Sequence, residues 1–230
     1  MDIIKNLVPE NKYSVKCPYS MTPTRIVVHN TANDASAKNE MAYMISNNNE
    51  VSFHYAVDDK EVVQGIPENR NAWHSGDGGN GKGNREGIAI EICYSKSGGE
   101  KFTKAEENAV DLIVDILKRY GWGVDKVTKH QDYSKKYCPH RTLDLGWDRF
   151  IGMIEDKLSP KNTFNAYKVR VTASCLNIRK GAGTNYGKNG AITDKGVYTI
   201  VDEADGKGAT KWGKLKSGAG WISLDYCKKV

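Results

Sequence analysis

Hydrophobic and polar positions change period repeatedly along the first 158 residues. Residues 25–30 (RIVVHN) form a short β-branched run suited to a buried central strand. Ala37, Met41, Met44 and Ile45 then recur at helical spacing, and the run Asn47, Asn48, Asn49 closes that helix. Residues 52–58 (SFHYAVD) and 61–66 (EVVQGI) flank a tight turn and predict a hairpin. A glycine-rich loop over 76–83 (GDGGNGKG) precedes another strand at 88–94 (IAIEICY). The strongest helical pattern follows, with Thr103 as N-cap and Glu106 completing a capping box. Ala105, Ala109, Leu112, Ile113, Ile116, Leu117 and Tyr120 form its apolar face, and Gly121 ends it. A last helix over about 147–158 turns Phe150, Ile151 and Ile154 inward. Strands separated by helices predict an α/β fold, a mixed central sheet covered by helices.

Beyond residue 158 the pattern changes. Residues 159–167 (SPKNTFNAY) read as a linker, and ten of the 23 glycines fall in the 63 residues from Lys168 onward. Alternation at 169–172 and 176–179 between glycine turns predicts a small all-β barrel over 168–230. The expected organisation is a first module at 1–158, a linker at 159–167 and a second module at 168–230.

Charge sharpens this division. Residues 1–167 carry 22 Lys and Arg against 23 Asp and Glu, whereas residues 168–230 carry 12 against 5. The excess of basic residues therefore lies in the second module, which suits an anionic partner. At 39% hydrophobic and 27% charged, the 230-residue chain has the composition of a packed protein rather than a disordered one. No run approaches the roughly 18 apolar residues of a membrane helix, so no membrane insertion is expected. Nor does the N-terminus carry a secretory apolar segment. Five cysteines without a C-x-x-C pair fit reduced thiols better than a disulfide framework.

Candidate chemistry centres on three residues. His29 ends the first strand, where open α/β sheets place ligand sites, and His130 precedes Cys138 by eight residues. Two imidazoles and a thiolate form a set that zinc accepts tetrahedrally, with a fourth position left for water. Spacing alone leaves open that His29 is a packed histidine and Cys138 a small buried hydrophobe.

Five ordered blocks carry a resemblance: VHNT at 28–31, SFHYAVD at 52–58, NAWHSG at 71–76, IAIEIC at 88–93 and YSKKYCPH at 133–140. Together they resemble the type 2 N-acetylmuramoyl-L-alanine amidases, over about residues 20–158. These share the fold of peptidoglycan recognition proteins and include endolysins of phages of Bacillus and Clostridium. The resemblance implies His29, His130 and Cys138 as zinc ligands and Lys136 as an active-site cation. Some members carry a catalytic tyrosine where this chain has Phe53, so the acid–base role falls on Glu91. His54, His74 and Trp73 are implied around the substrate, His54 also as a residue that orients the metal site. A structural role is the alternative for each histidine and a packing anchor for Trp73. His140, after Pro139, reads as structural and is the one rival ligand. For Glu91 the residues alone leave a second reading, a carboxylate on the solvated face of its strand.

The second module resembles a bacterial SH3-type wall-binding domain, through 176–186 (LNIRKGAGTNY) and 220–226 (GWISLDY). Trp212, Trp221, Tyr186 and Tyr198 are its candidate stacking aromatics, with Trp221 the one expected in the core. The implied partners are peptidoglycan and an anionic Gram-positive wall polymer. The expected activity is hydrolysis of the bond between N-acetylmuramic acid and L-alanine. The alternatives are a bacterial autolysin of the same activity, a non-catalytic peptidoglycan receptor, and a basic nucleic-acid binder. Receptors of that kind typically lack the zinc cysteine. Nucleic acid is not expected, because neither a ribonucleoprotein signature nor a recognition helix is present. Without an export segment, an endolysin would wait in the host cytoplasm for release through a separate pore protein.

Overall fold

The computed structural model describes residues 2–158 and 164–230. The chain divides into two compact units, Met1–Pro160 and Lys161–Val230. Of the expected linker, residues 159–163 lie outside the described residues. Its last residue is not linker at all, because Tyr167 opens a strand and its hydroxyl bonds Glu203.

The first unit is built on a mixed sheet. Its strands are β1 (Ile3–Lys5), β2 (Arg25–Asn30), β3 (Tyr55–Val57), β4 (Val62–Gln64), β5 (Gly87–Ile92) and β6 (Val127–Lys129), in the spatial order β1-β4-β3-β5-β2-β6. The hairpin β3–β4 is antiparallel as expected, and every other pairing is parallel. The helices are α1 (Tyr13–Lys16), α2 (Ala37–Ser46), α3 (Lys82–Glu86), α4 (Gly99–Tyr120), α5 (His140–Leu145) and α6 (Trp147–Leu158).

Strand alternation sorts the apolar side chains onto two faces. Ile26 and Val28 of β2, with Ile88, Ile90 and Ile92 of β5, pack against the apolar stripe of α4 and against Phe150 and Ile154 of α6. Ala56, Val63 and Ala89 face the other way, onto Met41 and Met44 of α2, with Val8 and Cys17 from the N-terminal segment. Ser36 caps α2, its Oγ accepting the Asn39 N–H at 3.3 Å. Gly121 ends α4 in the left-handed conformation, φ +66°, a geometry that favours glycine.

The expected start of α4 is one turn too late. Gly98 and Gly99, both at positive φ, bring the chain into the helix at Gly99. Thr103 therefore lies inside it, its hydroxyl donating to the Gly99 carbonyl at 3.1 Å. Glu106 is no capping residue either; it is 2% exposed and pairs with Arg149 of α6 at 2.7 Å. Sequence reading also passed over β1, β6 and the short helices α1, α3 and α5, which are three to six residues long. Such lengths show no measurable period.

The second unit is an all-antiparallel sheet of seven strands: β7 (Tyr167–Val171), β8 (Leu176–Arg179), β9 (Lys188–Ile192), β10 (Val197–Gly206), β11 (Ala209–Leu215), β12 (Trp221–Ser223) and β13 (Cys227–Lys229). Val169, Val171, Leu176, Ile192, Ile200, Leu215 and Ile222 form its core. Two tryptophans exchange their expected places. Trp212 is 2% exposed, whereas Trp221 is half-buried with the Lys214 ammonium 6.0 Å from its ring.

The Arg149–Glu106 pair gives a test of how α6 is held on α4. Arg149→Met keeps the aliphatic stem but leaves an enclosed carboxylate whose Oε1 already lacks a partner. Losing a hydrogen bond to a charged group should lower stability by about 1.5–3 kcal/mol. Urea unfolding of the two proteins measures it.

Candidate active site and metal centre

Three parallel strands deliver the site to one edge of the sheet. His29 is the fifth residue of β2, Glu91 the fifth of β5, and the two are register partners. His130 directly follows β6, which pairs with the other side of β2. Cys138 returns to this edge because its carbonyl accepts the Gln131 N–H at 2.9 Å. The Asn30 Oδ1 accepts the backbone N–H groups of Arg141 (2.9 Å) and Thr142 (3.2 Å), which ties the segment after Cys138 to β2.

His29, His130 and Cys138 are 1%, 5% and 3% exposed. His29 Nδ1 lies 3.0 Å from His130 Nδ1 and 4.0 Å from Cys138 Sγ, and all three atoms lie within 4.8 Å of one another. The far nitrogen of the His29 ring is engaged elsewhere, its Nε2 lying 2.9 Å from His74 Nδ1. A proton placed on that Nε2 leaves the His29 Nδ1 lone pair aimed at the cluster, the arrangement that orients a histidine toward a metal.

The donor set fits zinc. Tetrahedral coordination with Zn–N about 2.0–2.1 Å and Zn–S about 2.3 Å sets ligand atoms roughly 3.3–3.6 Å apart, within the spread seen here. His140 is not part of this set, its Nε2 lying 3.3 Å from the Ser95 carbonyl.

Burial holds these groups in their neutral forms. It lowers the pKa of His29 and His74 well below the usual histidine value, and neighbouring imidazoles push the same way. His130 is lowered to about 4 by burial and by the Lys136 charge. The Cys138 thiol is raised to about 11 by burial and by Glu91, against the Asn30 N–H and Lys136. Glu91 is raised to about 8, by burial first and then by Glu40 of α2, with Lys136 opposing. Its Oε2 is enclosed without a hydrogen-bond partner. Glu91 therefore does not point to a solvated face; alternation puts it on the His29 side of the sheet, opposite Ile90 and Ile92.

A cleft of about 770 Å³ opens beside this cluster, with His74, His130, Trp73 and Lys136 among its lining residues. His54 does not reach it. Its Nδ1 accepts the Ala89 N–H and its Nε2 donates to the Arg70 carbonyl, both at 2.9 Å, so both nitrogens serve the backbone. The expectation of His54 at the substrate is corrected accordingly, and burial lowers its pKa to about 4.

Several residues that shape the cleft escaped sequence reading. Asn84 Oδ1 accepts the backbone N–H groups of His74 and Ser75, each at 2.8 Å, and so fixes the loop that presents His74. Lys16 is fully buried. Its Nζ donates to Asn47 Oδ1 (2.9 Å), the Asn49 carbonyl (2.5 Å) and the Val51 carbonyl (3.2 Å), which holds the loop that brings Glu50 and Val51 to the cleft wall. Trp73 is braced from the same helix, its Nε1 donating to the Val15 carbonyl at 3.0 Å. A lysine before Cys17 carries no sequence signal of burial, because its three partners lie more than 30 residues away.

Fold and site together define a mixed α/β sheet with a His-His-Cys cluster able to hold a metal at the ends of its parallel strands, and comparison with known proteins supplies the family. Residues 19–141 match the family model described as N-acetylmuramoyl-L-alanine amidase, and the chain belongs to that family. It is 54% identical over 178 residues to the N-acetylmuramoyl-L-alanine amidase XlyB of Bacillus subtilis (strain 168), covering 77% of this chain and 56% of that one. The chain thus spans about half the length of that relative. It is 56% identical over 199 residues to the amidase CwlA of the same organism, covering 86% of this chain and 72% of the other. The solved structure of PlyL matches with a TM-score of 0.65 at 58% identity, over 67% of this chain and 97% of that one.

Metal uptake should report the protonation states directly. With neutral imidazoles and a thiol near 11, zinc binding at pH 7 must expel about one proton from Cys138. Glu91, near 8, contributes a further fraction, which Glu91→Gln should remove. Calorimetric zinc titrations in buffers of different ionisation enthalpy count these protons; no release at all would contradict the assignment.

Proposed function

We propose that this chain is a zinc-dependent peptidoglycan hydrolase that cleaves the amide between N-acetylmuramic acid and L-alanine of the stem peptide. The observation that carries the reading is the convergence of His29, His130 and Cys138 near Glu91, whose pKa burial raises, beside a cleft lined by His130 and Lys136. Zinc held by the three ligands would supply Lewis acidity, polarising the scissile carbonyl and acidifying the attacking water. Glu91 accepts the proton of that water and returns it to the alanine nitrogen as the C–N bond breaks, a base-then-acid sequence. With a pKa raised to about 8 it is mostly protonated at neutral pH, and a cation held by the three ligands would lower it to the range where it serves first as base and then as acid. Lys136 places a cation in the same cleft, where it offsets the negative charge developing on the carbonyl oxygen. His74 buttresses His29 through the 2.9 Å contact and, with Trp73, lines the substrate side. Phe53, which has no proton to exchange, is buried away from this role. The same chemistry serves a phage endolysin or a bacterial autolysin.

The domain reading is a catalytic module at 1–158 and a bacterial SH3-type wall-binding module at 168–230. The seven-stranded antiparallel sheet and the excess of basic residues after Lys168 support it. Peptidoglycan and an anionic wall polymer are the partners this reading assigns.

Digestion of purified Gram-positive walls should release L-alanine amines without new reducing ends; reducing sugars instead would mean a glycosidase. Cys138→Ser should lose most of the zinc and the activity, since an alcohol stays protonated and ligates poorly. Glu91→Ala should keep the metal and lower turnover by roughly 10²–10⁴-fold. Lys136→Ala should cost about 10²-fold or more. Zinc content and initial rates separate these effects, and wild-type rates for Glu91→Ala would refute its assignment.

A chain ending at Leu158 should cleave soluble muramyl peptides about as fast as the full chain but lyse intact cells more slowly. Tethering raises the effective concentration only at an insoluble substrate. If charge drives retention, full-chain binding to walls weakens as the Debye length falls from about 10 Å at 0.1 M salt to about 3 Å at 1 M. Equal lysis by both chains would remove the targeting role.

A further inference from the structure

The second unit contains a built cavity on the face of its sheet that does not make the core. Trp212 pairs with Ser223, Gly213 with Ile222, and Trp221 with both Lys214 and Arg179. Side chains alternate along each strand. Ile222, Leu215, Leu176 and Ile178 therefore belong to the core cluster, and Trp212, Ser223, Arg179 and Asn177 share the opposite face. Trp212 and Ser223 are nevertheless only 2% and 5% exposed.

What covers them is the loop after β8. Arg179 Nη1 donates to the carbonyls of Thr184 (3.2 Å) and Tyr186 (2.8 Å), and the Thr184 N–H donates to the Lys207 carbonyl (2.8 Å). Gly206 permits this approach, since a Cβ there would lie 2.1 Å from the Ala182 oxygen and 3.0 Å from the Trp212 ring. Beneath the loop lies a cavity of about 320 Å³, lined by Asn177, Arg179, Thr184, Trp212, Ser223 and Tyr226 among others, with no acidic side chain among the described residues.

Two of these residues carry enclosed polar atoms without a hydrogen-bond partner, the Trp212 Nε1–H and the Ser223 hydroxyl. Buried polar groups in proteins are nearly always paired. An indole N–H can only donate, so the partner it lacks is an acceptor. A guanidinium held in place at the same cavity adds one positive charge. Donors, a single cation and aromatic walls match a planar monoanion.

We propose that this cavity binds the C-terminal carboxylate of a short peptide, the group that uncross-linked peptidoglycan stems present. The Trp212 N–H and the Ser223 hydroxyl donate to the carboxylate, and Arg179 supplies the opposing charge. The proposal deepens, and rests on, the reading of the second unit as a wall-binding module. It is a separate matter from charge-driven attraction, because a polymeric phosphodiester would engage exposed lysines rather than one enclosed pocket.

The test uses the ¹⁵N-labelled full chain, with the Trp212 indole resonance assigned by its loss in Trp212→Phe. N-acetyl-D-alanyl-D-alanine should shift that resonance, its C-terminal amide should bind roughly tenfold more weakly, and glycerol 3-phosphate should leave it unmoved. Ser223→Ala, with the remaining spectrum unchanged, should weaken dipeptide binding roughly three- to tenfold. An indole resonance unmoved by the acid, moved equally by acid and amide, or moved by glycerol phosphate at lower concentration overturns the proposal. Co-sedimentation with walls is read separately. Walls that retain the chain while the dipeptide leaves the indole unmoved refute the pocket and spare wall targeting. A dipeptide that binds while walls retain nothing supports the pocket and refutes targeting.

Discussion

The first unit depends on the parallel register of β5, β2 and β6. Parallel strands end on a common edge, and open α/β sheets collect ligand groups there. With Glu91 opposite His29, and His130 directly after β6, one edge receives a carboxylate and two imidazoles from segments about 40–60 residues apart. A slip of one residue between β2 and β5 would turn Glu91 toward α4 and Ile90 toward the cleft. The packing of Ile26, Val28, Ile88, Ile90 and Ile92 against α4 forbids that slip. The apolar face thus specifies the geometry of the polar one.

Electrostatics then explains why these groups can share so small a volume. Desolvation drives the imidazoles, the thiol and the carboxyl toward neutrality together, so the cluster buries little net charge without a metal. One pKa unit is about 1.36 kcal/mol. Two unit charges about 4 Å apart interact by about 4 kcal/mol at an effective dielectric near 20, and a divalent ion doubles that. Such an ion is strong enough to hold Cys138 as thiolate at neutral pH and to draw Glu91 down from about 8. Acidity of the site is in this way coupled to its loading.

The sequence made the site's chemistry more legible than its architecture. His29, His130 and Cys138 stand in motifs whose residue types already suit a metal, and the resemblance supplied Glu91 and Lys136. The structure brings the three ligand atoms together. For His54 the sequence leaves a site role and a structural role open, and the structure matches the second, with both nitrogens taken by the backbone of Ala89 and Arg70. Helix α4 was legible in its interior and its Gly121 cap but not at its start. A Thr and a Glu three residues apart mimic a capping box even when Gly98 and Gly99 have already begun the helix. Lys16, Asn30 and Asn84 were invisible for a different reason. Their roles consist of hydrogen bonds to distant backbone, and no local pattern encodes those.

Trp212 and Trp221 show the same limit within the second unit, and their exchange has a functional consequence. Trp221 of β12 is the one expected in the core, yet alternation assigns the core to Ile222 and turns Trp221 outward. Trp212 faces outward as well, but the loop from Lys180 to Gly187 folds over it, so its burial comes from a cover rather than from a core. The indole N–H so covered has no hydrogen-bond partner. A core tryptophan would be a matter of stability alone. A covered one beside Ser223 and Arg179 forms a pocket, and it gives this basic unit a means of selecting a partner that net charge by itself does not provide.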